Sequence, residues 1–346
     1  MLWSPTWSVP FFLPLTPAHD TNAMTTLKLT PDQQALLRCP RCTAALSWTD
    51  EAASCTGSAC ATRFPITDGV PVLINEAKSI FDIADFLARR ETTFRSSDRI
   101  LKDTFSRVMP RIGHNVKAAR NYARFAELLT ALATPARRAR VLVVGGSILG
   151  KGMESLATHP ALELVETDLA LGPRTMMICD GHDLPFIDSS FDGVIVQAVL
   201  EHVLDPARCV AEIHRVLKPE GVVYGETPFM QQVHMGPYDF TRFTHLGHRR
   251  LFRHFEEIES GASCGPGMAL AWAWQYFLLS FTARRLPRAL LRGVAALTAF
   301  PLKYFDYALI DTPGALDAAS GVYFLGRKSD ATLPDRTLVK GYRGAM

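Results

Sequence analysis

Val141-Leu142-Val143-Val144-Gly145-Gly146 is an apolar run that ends in a glycine pair. Four apolar residues in a row suit a strand buried on both faces, and the glycines let the chain turn sharply at its end. A second run, Leu162-Glu163-Leu164-Val165-Glu166-Thr167-Asp168, ends in a carboxylate. Met176–Cys179 reads as a third strand and Ser190–Gln197 as a fourth. Asp205-Pro206 opens a helix that runs to Val216, with proline in its first turn. Lys218-Pro219-Glu220-Gly221 then turns into a fifth strand ending at Thr227-Pro228. This alternation predicts a doubly wound, Rossmann-like α/β sheet whose ligand lies at the carboxyl edge of its strands.

Composition sets outer bounds. With 48% hydrophobic and 21% charged residues, the 346-residue chain can build a sizeable core. A net charge of +3 is too weak by itself to argue for nucleic acid. Residues 1–30 are expected to form a disordered extension. Its first 27 residues lack Lys and Arg, so Phe11-Phe12-Leu13 does not read as a secretory core, and Met24 is a second candidate start.

Four of the seven cysteines fall between Cys39 and Cys60. Cys39-Pro-Arg-Cys42 and the pair Cys55 and Cys60 are joined by a hairpin-length spacer. Two cysteine pairs on tight turns supply four thiolates for a closed, structural zinc site, so residues 31–75 read as a zinc ribbon. An odd cysteine total with one tight cluster suits a reducing, cytoplasmic setting. The ribbon resembles a small zinc-ribbon family that acts as an activator subunit of methyltransferases. That resemblance implies a docking platform, here fused in cis.

Residues 76–135 read as helical linker and helices: Ile80, Ile83, Phe86 and Leu87 recur at helical spacing, as do Tyr122, Phe125, Leu128, Leu129 and Leu132. Between them runs a basic segment, Arg95 to Arg124, read as a solvated face because no aromatics are interleaved to stack bases.

Within residues 136–328, four linked motifs carry a second resemblance. They are Asp180-x-x-x-Leu184-Pro185-Phe186, Ser190-Phe191-Asp192, Leu200-Glu201-His202-Val203-x-Asp205-Pro206 and Arg215-Val216-Leu217-Lys218-Pro219-x-Gly221. This run resembles a class I S-adenosylmethionine-dependent methyltransferase of the broad group that includes the ubiquinone and menaquinone methyltransferases. The resemblance implies a seven-stranded sheet with the last strand antiparallel. It implies that Gly145, Gly146 and Gly150 approach the methionine end of S-adenosylmethionine and that Asp168 binds the ribose. Asp180, Gly181 and His182 would flank the adenine, and Gln197 with Leu200 would wall the sulfonium. Two positions depart from the family: Val143 stands where an acid usually holds the cofactor's amino group, and Ser147 where a third glycine is usual. The loop Gly-Gly-x-x-x-Gly is also not the Gly-x-Gly-x-x-Gly that a nicotinamide cofactor asks for.

Past the fifth strand, His234, Tyr238, Asp239 and Arg242 crowd into one loop. His234, Tyr238 and Asp239 are the candidate catalytic residues, His234 as base because imidazole titrates near neutrality. Phe255–Ile258 and Ser320–Arg327 read as the last two strands, with a helical insertion at about 267–315 between them. Its apolar stretch Met268–Phe281 is shorter than the roughly 20 residues a membrane span needs. Tryptophans beside an apolar face and arginines at helical intervals suit either a lid or a helix lying on the inner face of a membrane. Residues 329–346 read as a tail.

The expected activity is methyl transfer to an oxygen of a small-molecule, glycan or lipid-linked acceptor. Two alternatives stand beside it: an RNA base methyltransferase with the ribbon as RNA-contact module, and a non-catalytic scaffold.

Overall fold

The computed structural model describes residues 26–88 and 110–345. The leading residues 1–25 and the basic positions Arg95, Arg99, Lys102 and Arg107 lie outside the described residues. Residues 26–30, read from sequence as part of a disordered extension, are ordered. Leu29 is buried, Lys28 donates its backbone N–H to Gly69 at 2.9 Å, and Thr30 caps the helix Pro31–Ala35.

Four short strands form the ribbon: β1 (Leu46–Trp48), β2 (Ala52–Cys55), β3 (Arg63–Thr67) and β4 (Val70–Leu73). Seven more follow: β5 (Ala139–Val144), β6 (Leu162–Asp168), β7 (Met177–Cys179), β8 (Phe191–Gln197), β9 (Leu217–Pro228), β10 (Phe255–Cys264) and β11 (Gly321–Lys328). The later strands run in the order β7-β6-β5-β8-β9-β11-β10, with β11 antiparallel to both neighbours. The ribbon continues this sheet, because β4 pairs in parallel with β7, Val72 opposite Ile178 and Leu73 opposite Cys179.

The ribbon is therefore not the separate unit that its boundaries at 31–75 suggest. Leu37, Cys39, Ala53, Phe64 and Leu73 share one core with Leu142, Val144, Val194 and Phe252. Backbone bonds seal the seam: Arg38 N–H to Pro185 O and Ile187 N–H to Leu36 O, both at 2.9 Å. A module too small to stabilise itself by burial thus borrows the core of its neighbour.

Alternation along β5 feeds both faces of the sheet. Leu142 and Val144 enter the core on the ribbon side, whereas Val141 and Val143 pack under helix α1 (Ala118–Thr130). Helix α1 buries Tyr122, Phe125 and Leu129 there, so close that a Cβ on Gly193 would lie 2.6 Å from Leu129. On the opposite face lies α2 (Pro206–Val216), capped by Asp205, which accepts the Arg208 N–H at 3.0 Å.

Two of the linked motifs prove to be scaffolding. Asp192 accepts from Arg137, Lys218 and the Arg140 N–H, joining the feet of β5, β8 and β9. Arg215 donates to the carbonyls of Leu184 and Phe186 and to Glu212 and Asp188, which locks the turn after β7 onto α2.

Helix α3 (His245–Leu251) carries a buried liability. His248 is fully buried against Phe252, and neither ring nitrogen has a partner among the described residues. Burial pushes its pKa down to about 3, so the folded chain refuses a proton that the unfolded chain accepts below about 6.5. Stability is then fully present above the unfolded value and drains as pH falls through that window. In urea unfolding at pH 7 and pH 5, wild type should lose stability up to about 1.4 kcal/mol per pH unit faster than His248→Leu. Equal losses would show that His248 does not carry the effect.

Candidate functional site

The tips of β5, β6, β7 and β8 face one edge and bring together most of the residues singled out from sequence. Gly145 and Gly146 both donate to the Thr167 carbonyl, at 2.9 and 2.8 Å, which folds the glycine turn back onto β6. Gly145 has φ +78°, and a Cβ there would meet the Val199 methyl at 2.3 Å. Asp168 accepts from Ser147 N–H at 2.9 Å and Ala170 N–H at 3.0 Å. Ser147 is thus absorbed rather than disruptive: its N–H holds Asp168 and its carbonyl accepts from Arg174 N–H. Burial raises the Asp168 pKa despite these bonds.

Asp180 and His182 form a closed pair. His182 Nδ1 lies 2.6 Å from Asp180 Oδ1, and its Nε2 accepts from Asp205 N–H at 3.1 Å. The other Asp180 oxygen takes a 2.6 Å bond from Ser79, which lies just beyond the ribbon. Burial alone would raise Asp180; bonds from His182 and Ser79 overcome it and hold the carboxyl below its usual range. Gly181 sits within this turn with room for a Cβ.

Gln197, at the tip of β8, accepts from Tyr122 Oη at 2.6 Å and lies against Gly150, where a Cβ would be 2.3 Å from Oε1. The next residue, Ala198, is held at φ +53°, a strained backbone of the kind that collects at functional sites. Leu200 turns wholly into the core and cannot wall an open groove. The side chain that stands beside the glycine turn is that of Val199.

Sequence reading missed Glu226. It pairs with Gln197 across β8 and β9 and shares the α1 face with Val143, Ile195 and Tyr224. Its oxygens accept from Asn115 and Tyr224, each at 2.7 Å, and burial raises its pKa. The available signal was an acid two residues from the end of β9, straight after the uncharged run Gly221–Gly225.

The loop after β9 closes the edge. Asp239 accepts from Arg242 and from the N–H groups of His234 and Met235. Burial would raise Asp239, but the Arg242 guanidinium and those N–H groups outweigh it and hold its carboxyl well below the usual range. It locks the loop in its ionised form and is poorly suited to take up protons. Tyr238 stacks on Phe81, with ring centroids 5.8 Å apart, and its carbonyl lies 2.7 Å from His202 Nδ1. His234 stands beside His202, their rings edge to face with centroids 4.9 Å apart. Behind them is Glu201, wholly buried, its pKa pushed up to about 8 by burial.

The insertion reaches this loop. Helix α4 (Pro266–Leu279) sends Tyr276 Oη to the Val233 carbonyl at 2.9 Å, and Asp306 caps its start through Gly267 and Met268 N–H. Helix α5 (Arg285–Ala299) packs against α4.

In the ribbon the sulfurs of Cys39, Cys42, Cys55 and Cys60 lie within 4.8 Å of one another, and none is in a disulfide. Cys39 and Cys60 are 3.8 Å apart and Cys42 and Cys55 3.3 Å, against about 3.8 Å for thiolates on one tetrahedral zinc. The donor set fits that ion.

A methyltransferase-domain family model matches residues 140–225, from β5 into β9. An uncharacterized methyltransferase of Mycobacterium tuberculosis is 33% identical over 95 residues, covering 25% of this chain and 39% of the relative. A demethylmenaquinone methyltransferase of Symbiobacterium thermophilum is 29% identical over 96 residues, 27% of this chain and 35% of the relative. The chain thus matches well under half the length of these relatives. Among solved structures, phosphoethanolamine N-methyltransferase 2 of Haemonchus contortus with S-adenosylmethionine aligns at TM-score 0.40 and 18% identity, over 78% of this chain and 62% of that one. The family match thus spans β5 to β9, the strands whose tips gather the glycine turn and Asp168, and over residues 140–225 this chain is similar to a methyltransferase domain.

Proposed function

We propose that this chain transfers a methyl group from S-adenosylmethionine to an oxygen of a small-molecule, glycan or lipid-linked acceptor, with a structural zinc ion in its ribbon. The observation that carries the reading is the meeting, at one sheet edge, of Gly145, Gly146, Asp168 and Asp180 with the His202–His234 loop. When bound, the cofactor supplies an electrophilic methyl on a sulfonium, so the protein's work is positioning and proton removal.

Asp168 accepts from the ribose hydroxyls, and the glycine turn lets backbone approach the ligand. Glu226 stands in for the acid missing at 143, on the same face and nearer the strand tips. On the acceptor side, His202 and His234 offer ring nitrogens to a hydroxyl proton, while Asp239 and Arg242 hold the loop. Titration calorimetry with S-adenosylhomocysteine tests this. Wild type should bind, and Glu226→Gln should bind about tenfold more weakly, about 1.4 kcal/mol. Absence of binding at millimolar nucleoside would remove the enzyme reading.

A lipid-linked acceptor is favoured by the insertion. No helix among the described residues is long and apolar enough to cross a membrane. Yet Phe277, Phe281, Leu286, Leu290 and Leu297 are all more than half exposed, with Arg284, Arg285, Arg288 and Arg292 alongside. Such a face suits an interfacial seat on anionic lipid. The full chain should float with vesicles containing phosphatidylglycerol, and Phe281→Glu with Leu290→Glu should release it. Equal flotation of the variant would exclude this surface.

A further inference from the structure

Glu201 is the strangest side chain in the molecule. It sits in the turn Leu200–His202 after β8, it is 0% exposed, and beyond the pull of its own backbone N–H neither carboxylate oxygen has a hydrogen-bond partner among the described residues. Leaving a buried carboxyl unpaired is costly, so something should complete it.

Two imidazoles face it. His202 Nδ1 is 2.7 Å from the Tyr238 carbonyl and must donate there, which leaves Nε2 with its lone pair free, 3.5 Å from Glu201 Oε1. His234 Nδ1 is 3.2 Å from the Gln232 carbonyl and 3.5 Å from Arg242 Nη2; in the tautomer that donates to the carbonyl, the shorter contact, Nε2 is left bare, 4.0 Å from the same Glu201 oxygen. A ring nitrogen fixed by a backbone carbonyl, with its partner nitrogen bare, is how metal-ligating histidines are held. At 3.5 and 4.0 Å neither imidazole makes a well-formed hydrogen bond to the carboxylate. Arg242, the nearby cation, spends its bonds on Asp239 and on the Gln231, Gln232 and Thr241 carbonyls, and stands 3.5 Å from His234 Nδ1.

We propose that Glu201, His202 and His234 bind a divalent transition-metal ion through one carboxylate oxygen and two Nε2 atoms. The three donor atoms lie within 4.8 Å of one another. Ligands about 2.1 Å from one ion stand about 3.0 to 3.4 Å apart, so small side-chain shifts, chiefly of His234 on its loop, would close the set. Two imidazoles with one carboxylate favour zinc, manganese, iron(II) or cobalt over calcium or magnesium. The binding claim stands on this cluster alone; the ion's role rests on the methyltransferase reading above. There it would hold an acceptor oxygen in an open coordination position and acidify its hydroxyl, a task otherwise left to bare imidazole.

The full chain, stripped with a chelator and reloaded with Zn²⁺, should retain about two ions after desalting, one in the ribbon and one here. Loaded with Co²⁺, it should show thiolate charge-transfer absorption from the ribbon and separate weak d–d bands from the nitrogen–oxygen site. His234→Ala and Glu201→Gln should each cut the count to about one and erase only the weak bands, with S-adenosylhomocysteine affinity unchanged. Cys39→Ser should do the reverse. A wild-type count of one for Zn²⁺, Mn²⁺ and Co²⁺ alike would overturn the proposal. So would a second ion that survives in His234→Ala. Loss of nucleoside binding with the metal count intact would instead indict the methyltransferase reading.

Discussion

Asp168→Ala should weaken S-adenosylhomocysteine binding at least a hundredfold, about 2.7 kcal/mol, while the folded sheet persists. Two effects add. The ribose hydroxyls lose a charged acceptor, and the N–H groups of Ser147 and Ala170 lose the carboxylate that shapes the turn. Asp168→Asn keeps one oxygen for the turn but donates on its other side, so it should recover some of the melting temperature and little of the affinity. Calorimetry with both variants separates the roles. If Asp168→Ala binds the nucleoside as wild type does, the carboxylate is only a loop brace.

Cys39→Ser, or removal of zinc by a chelator, should cost more than about 4 kcal/mol of stability, a size reserved for losses such as that of a structural metal. From sequence alone the ribbon reads as a platform whose loss would spare the cofactor pocket. The structure argues otherwise. Strand β4 is bonded to β7, the ribbon's apolar residues share the sheet's core, and Ser79 reaches Asp180. The variant should therefore also lose about tenfold in nucleoside affinity, about 1.4 kcal/mol. Ser79→Ala, which leaves the sulfurs alone, isolates the hydrogen-bonded part. An unchanged melting curve for Cys39→Ser would mean that the four sulfurs hold no ion that matters to the fold.

What could be read in advance follows from locality. Strands β5, β6 and β8 announce themselves by unbroken apolar runs, and α2 by Asp205-Pro206, because burial pattern and capping act over a few residues. The cysteine spacing likewise reports a four-sulfur cluster. Glu226 was hidden because its importance comes from register, which sets it beside Gln197 although 29 positions separate them. The Glu201 cluster was half visible: Glu201-His202 lie in a motif, but the loop that returns His234 to them is a tertiary event. Tyr238 and Asp239 were grouped with His234 by proximity in the chain. The Tyr238 ring in fact turns to Phe81, while the Asp239 carboxylate does meet His234, accepting its N–H, but is bound by Arg242. The fused ribbon edge was also illegible, since nothing in Val70–Leu73 says which strand it will meet.

The placement of β11 has a consequence for how the molecule is made. This strand lies between β9 and β10, although it is synthesised last of the three and only after the insertion. A nascent chain released before residue 328 would leave two long edges facing an empty slot, open to any extended peptide. Premature stops or proteolysis in the insertion should therefore yield insoluble fragments, and supplying residues 319–330 as a separate peptide should restore their solubility.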